Sequence, residues 1–232
     1  MAELNKDVVR RIAALDLLKR NKDYYDPYEY ERIKYYIEHD KSDENFTRDI
    51  MREIYDELGM IPEDQNMYTR FMQEIDENFG INNRHIIEVG GGIFPRLGHR
   101  IHLQQQNGTI TVYDPRIGKR IEGDDTFILK REEFTRKTPL GNCNLLIGLM
   151  PCKGAEPLID QAIKHEKDFM LWFCEGGPHG DCYDYFEDER EWLGSMMYDI
   201  ERGVREHHMG KVIQKTLDKY SHYPIVYNQR EK

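Results

Sequence analysis

Apolar residues recur at two different periods along the chain, and the change of period divides it. Leu4, Val8, Ile12 and Leu15 step at helical spacing and predict one amphipathic face. Phe46, Ile50, Ile54 and Leu58 step by four and stop at Gly59; Met67, Phe71, Ile75 and Phe79 repeat the layout and stop at Gly80. Ser42 suits a helix N-cap, Pro62 a first helical turn, and both glycines the left-handed residue that closes a helix. Pro27 marks a break within "NKDYYDPYEYERIKYYIEHD", where six tyrosines fall within 13 residues and predict aromatic packing of a helix pair. Residues 1–83 therefore read as a helical N-terminal region.

After Gly80 the pattern shortens. "HIIEV", "TITVYD", "TFILK", "NLLIGLM" and "FMLWFC" are strand-length runs rich in β-branched, leucine or aromatic residues. The amphipathic "EPLIDQAIKHEKD" lies between the fourth and fifth runs. Strands alternating with helices imply crossover connections and a mostly parallel sheet with helices on both faces, the α/β class. Residues 185–219 read as one or two helices. "YPIVYNQ" reads as a final strand, placed at a sheet edge because Pro224 lacks a donor. Residues 84–232 thus form the expected second domain.

Composition narrows the partners. The 232 residues are 39% hydrophobic and 33% charged, with a formal net charge of -10. Residues 1–83 carry 12 Lys+Arg against 20 Asp+Glu, a net of -8. An acidic chain gains little from neutralising phosphates, which argues against nucleic acid as a partner and for a small molecule. No apolar run is long enough for a bilayer span, and the first residues lack a signal-peptide core, so no membrane partner is expected. Cys143, Cys152, Cys174 and Cys182 lack the pattern of a disulfide framework. A cytoplasmic chain with reduced thiols is the expectation.

The chemistry concentrates in "RHIIEVGGGIFPRLGHRI", a buried strand running into Gly90-Gly91-Gly92. Ligands of open parallel sheets sit at such strand ends. A dinucleotide fingerprint places its third glycine where this chain has Pro95, and no phosphate-loop lysine follows, so both nucleotide motifs are excluded. Glu88, two residues ahead of the glycines, is awkward beside a pyrophosphate and useful beside a cation. S-adenosylmethionine fits these residues: it has no phosphate and carries a sulfonium and an ammonium. Asp114, at the end of "TITVYD", is placed to meet the ribose hydroxyls of that cofactor.

On "IIEVGGG", "TVYDP" and "NLLIGLMPC" the sequence resembles the class I S-adenosylmethionine-dependent methyltransferases over about residues 84–180. The resemblance implies a Rossmann-like, seven-stranded sheet. It places Glu88 and the Gly90-Gly91-Gly92 turn at the cofactor's methionine part and Asp114 on the ribose. The last glycine of the family's E-x-G-x-G-x-G is replaced by Phe94. "GGGIFP" is also similar to the turn of nicotianamine-synthase-like enzymes, which transfer an aminocarboxypropyl group from the same cofactor. "GLMPCKG" is similar to a segment of some RNA-directed methyltransferases, with Met150 in place of a histidine.

Strands four and five are expected to end near Met150-Pro151-Cys152-Lys153 and Cys174-Glu175-Gly176-Gly177, both facing the cofactor. Methyl transfer is an in-line displacement governed by positioning, and a base is needed only for a protonated acceptor. Glu175 and His179 are the candidates for acceptor positioning or proton removal, with Lys153 as a charge clamp. Cys174, His179 and Cys182 do not follow a usual zinc spacing, so no metal is expected. The leading expectation is methyl transfer to a small-molecule acceptor. The alternatives are aminocarboxypropyl transfer, and a binding protein without turnover in which Phe94 intrudes on the cofactor.

Overall fold

The computed structural model describes residues 6–25, 27–39, 54–55, 58, 60, 67–119, 121–173, 189–217 and 223–230. The chain divides into two compact units, Met1–Arg70 with Gly118–Glu122, and Phe71–Ile117 with Gly123–Lys232. In the first, α1 (Lys6–Arg20) packs on α2 (Pro27–Glu38). Pro27 opens α2, where its missing N–H is no loss. The buried face of α1 is Ala14 and Leu18, which meets a helix carrying buried Ile33 and Ile37. The expected face is therefore corrected: Val8 and Ile12 are 45% and 60% exposed. Helical spacing alone does not say which stripe packs, and the small Ala14 allows the closer helix approach. Of the tyrosine cluster, Tyr25 is buried, while Tyr35 is exposed and stacks on His39 with ring centroids 4.2 Å apart.

The helix α3 (Met67–Phe79) forms as its spacing predicts, burying Met67, Phe71 and Ile75 and closing on Gly80 at φ +68°. Ser42, Gly59 and Pro62 lie outside the described residues. The second unit is built on seven strands: β1 (His85–Val89), β2 (Thr109–Tyr113), β3 (Phe127–Lys130), β4 (Leu145–Leu149), β5 (Asp168–Trp172), β6 (Lys211–Thr216) and β7 (Pro224–Gln229). Their spatial order is β3-β2-β1-β4-β5-β7-β6. The first five pair in parallel, and β7 runs antiparallel to both its neighbours. Helices α4 (Arg96–Gln104), α5 (Ala155–Lys164) and α6 (Glu189–Glu206) complete the unit.

Two sequence expectations fail here. The run 185–219 is not helical throughout, because α6 ends at Glu206 and Gly210, at φ +93°, turns the chain into β6. That strand is an edge whose residues are exposed or half-buried, so its sequence lacks a strong alternation. Nor is β7 an edge: it lies between β5 and β6, and Pro224 is tolerated as its first residue.

Strand alternation sorts the core. Ile87 and Val89 join Leu146, Phe169, Leu171 and Val226 under α5 and α6, with Trp192 edge-on to Phe173. The opposite face of β5 carries Trp172 against Phe71 of α3, with ring centroids 5.8 Å apart. Lys215 of β6 fixes the same helix through both oxygens of Glu74, at 2.7 and 2.8 Å. No helix among the described residues is long and apolar enough to cross a membrane.

Candidate functional site

The ends of β1, β2 and β4 and the loop after β3 enclose a cleft of about 840 Å³ at the point where the strand order reverses. Gly90 and Asp114 line it together with Pro151 and Lys153. Gly90 sits at φ +81° and donates its N–H to Tyr113 O at 2.9 Å. A Cβ on Gly90 would lie 2.7 Å from Pro151 Cα, so the ends of β1 and β4 approach only around a glycine. Gly91 is buried, and a side chain there would collide with Val112. Gly92 donates its N–H to Asp114 Oδ2 at 2.9 Å, which ties the turn to the end of β2.

Asp114 is 3% exposed. Its Oδ1 accepts the Arg116 backbone N–H at 2.7 Å and Nε at 3.2 Å, and its Oδ2 accepts Nη2 at 3.1 Å. With Gly92, four donors meet the roughly four acceptor positions of one carboxylate. A ribose hydroxyl would take a position that Arg116 now fills. The Arg116 side chain is 48% exposed and has room to leave.

Glu88 is buried on the other side of β1, outside the cleft lining. Burial pushes its carboxyl up to about 8; the Gly98 N–H holds it back and the Asp114 charge raises it further. Its Oε2 has no hydrogen-bond partner, and a Cβ on Gly98 would lie 2.5 Å from that oxygen. The carboxyl thus sits beneath the first turn of α4, a helix whose N-cap, Pro95, provides no side-chain bond.

The β4 end is a sharp corner. Met150 and Cys152 adopt φ +50° and +48°, a left-handed conformation that costs a non-glycine residue roughly 1 kcal/mol or more. Met150 donates its N–H to Trp172 O at 2.8 Å and lies outside the cleft lining, whereas the exposed Cys152 and Lys153 line it. The far wall is the loop after β3. Phe134 anchors it edge-on to Tyr113, with ring centroids 5.4 Å apart. Gln161 of α5 donates to Thr138 O at 2.8 Å and Thr135 O at 3.3 Å, and Arg136 pairs with Glu156 and Asp160. These wall residues were not singled out from the sequence. The one signal was Phe134, a lone aromatic in the charged run "REEFTRK".

Phe94 does not line the cleft; its ring lies 5.7 Å from the Arg96 guanidinium. Glu175, His179, Cys174 and Cys182 lie outside the described residues. Among the described residues no group of three or more ligating side chains could hold a metal.

Neither a family model nor a curated protein sequence matches the chain. Among solved structures it is similar to magnesium protoporphyrin IX methyltransferase from Synechocystis with bound S-adenosylmethionine, at a TM-score of 0.50 and 11% identity over 100% of both chains. The chain has the class I S-adenosylmethionine-dependent methyltransferase fold. Two further structures of this methyltransferase fold are similar. Human N-acetylserotonin methyltransferase has a TM-score of 0.44 and 14% identity over 97% of this chain and 68% of that one. The antibiotic-resistance methyltransferase Kmr has a TM-score of 0.47 and 11% identity over 69% and 93%.

Proposed function

We propose that the chain is an S-adenosylmethionine-dependent methyltransferase acting on a small-molecule acceptor in the cytoplasm. The observation that carries this is the buried Asp114, bound to the glycine turn at the switch point of a sheet ordered β3-β2-β1-β4-β5-β7-β6. Two features suit the cofactor: a cleft within the usual range for small-molecule sites, and a Gly90 cradle that a Cβ would close.

S-adenosylmethionine, when bound, supplies a methyl carbon made electrophilic by its sulfonium. Asp114 would accept from the ribose hydroxyls once Arg116 withdraws. The Gly90-Gly91-Gly92 turn lets backbone come close to the methionine part. Pro151, Cys152 and the Phe134 loop form walls that would fix orientation, the main demand of an in-line displacement. Glu175 and His179, in the segment after β5, are the proposed groups for positioning the acceptor or taking its proton.

Asp114→Ala tests the assignment. It should weaken S-adenosylhomocysteine binding about ten- to hundred-fold while the chain stays folded by thermal melting. Unchanged affinity would remove Asp114 from the site. Product analysis separates the chemistries: S-adenosylhomocysteine marks methyl transfer, whereas methylthioadenosine marks aminocarboxypropyl transfer.

A further inference from the structure

The four donors on Asp114 are of two kinds. The backbone N–H groups of Arg116 and Gly92 stand 2.7 and 2.9 Å away, one on each carboxylate oxygen. Both belong to the turns that shape the strand ends, and they leave only if those turns rearrange. The Arg116 side chain adds Nε on Oδ1 at 3.2 Å and Nη2 on Oδ2 at 3.1 Å. These two bonds are longer, and they join a side chain that is 48% exposed to a carboxylate that is 4% exposed. The backbone donors are fixed, and the guanidinium is the displaceable pair.

A guanidinium fork presents two N–H groups, one to each oxygen of a carboxylate. The vicinal hydroxyls of a ribose present two O–H groups in the same pattern. The backbone N–H groups hold one acceptor position on each oxygen of Asp114, so the fork and the diol compete for the two that are left. Arg116 lies two residues from Asp114 across Pro115, whose ring fixes φ, so the fork is tethered beside its target. We propose that Arg116 is a built-in competitor for the ribose subsite, a latch that must open before the cofactor is held. This rests on the methyltransferase reading above and adds an opening step to it. A ligand binds only the fraction of chains whose latch is open, so its association slows by that fraction while its dissociation does not change.

Stopped-flow kinetics and calorimetric titration of the full chain with S-adenosylhomocysteine test the latch. Arg116→Gln should bind about two- to five-fold tighter, the range an exposed ion pair permits, through faster association at an unchanged dissociation rate. Arg116→Lys keeps the charge but not the fork, and should fall between wild type and Arg116→Gln. S-adenosylhomocysteine is a zwitterion of no net charge, so added salt acts mainly on the latch. From about 0.05 to about 0.5 M salt, binding by wild type should tighten and binding by Arg116→Gln should not. The proposal is overturned if Arg116→Gln binds no tighter, or if its dissociation rate rises, because the guanidinium then holds the ligand. An equal salt response in both forms overturns it too, because that response does not come from Arg116. If neither form binds while both melt as folded chains, the methyltransferase reading fails first and the latch with it.

Discussion

Glu88 links the stability of the fold to pH. Its carboxyl is held at about 8 in the fold against an ordinary 4.5, chiefly by burial. Between those values the folded chain keeps a proton that the unfolded chain has released, so raising the pH favours unfolding. The contribution is fully present below 4.5, declines across the interval, and is lost above about 8, a difference of up to roughly 5 kcal/mol. Glu88→Gln removes the titration. The stability difference between wild type and Glu88→Gln, measured by urea unfolding, should shift in favour of the variant as pH rises from 5 to 9; a difference independent of pH contradicts the assignment. Arg116 offers a second residue-scale prediction. Because it fills the acceptor positions of Asp114, Arg116→Gln should tighten S-adenosylhomocysteine binding several-fold, and weakened binding would show that the guanidinium instead helps hold the cofactor. The sequence made Glu88 legible as an acid ahead of a glycine turn. Its direction was also written there: Ile87 and Val89 face one core, so Glu88 shares the other face with Ile86, toward α4.

At the scale of elements, helices with a sharp apolar stripe and strands buried on both faces were readable, and pairing was not. The α3 spacing of Met67, Phe71 and Ile75 marks its buried face directly. What fixes that helix on the sheet is Glu74 with Lys215, separated by 141 residues, and a pair so distant leaves no local pattern. Glu74 is 1% exposed and Lys215 41%. Removing the lysine takes from a buried carboxylate the cation that bonds both its oxygens, so Lys215→Met should destabilise the chain by about 1–3 kcal/mol, less than for a fully buried pair because water reaches the lysine. Glu74→Leu combined with Lys215→Met should recover most of that loss in denaturant unfolding; a double variant as unstable as the single one would deny the coupling. The β6 edge was hidden for a related reason. A strand paired on one side and half-exposed shows neither a continuous apolar run nor a clean alternation.

For the whole molecule, the alternation of strands and helices after Gly80 was enough to infer a parallel sheet, and of the acid-glycine-acid set Gly90 and Asp114 line the cleft at its strand ends while Glu88 does not. The antiparallel β6–β7 pair follows from pairing between distant residues and was out of reach of local reading. The wall contributed by the loop after β3 depends likewise on α5, through Gln161 and the Arg136 ion pairs. The central claim is that the cleft at the strand-order reversal holds S-adenosylmethionine. Titration calorimetry of S-adenosylhomocysteine into the full chain tests it most directly. The account predicts saturable binding at a single site with a dissociation constant on the order of micromolar, weakened by Asp114→Ala. No heat of binding up to about 1 mM ligand, with the chain folded, would contradict it.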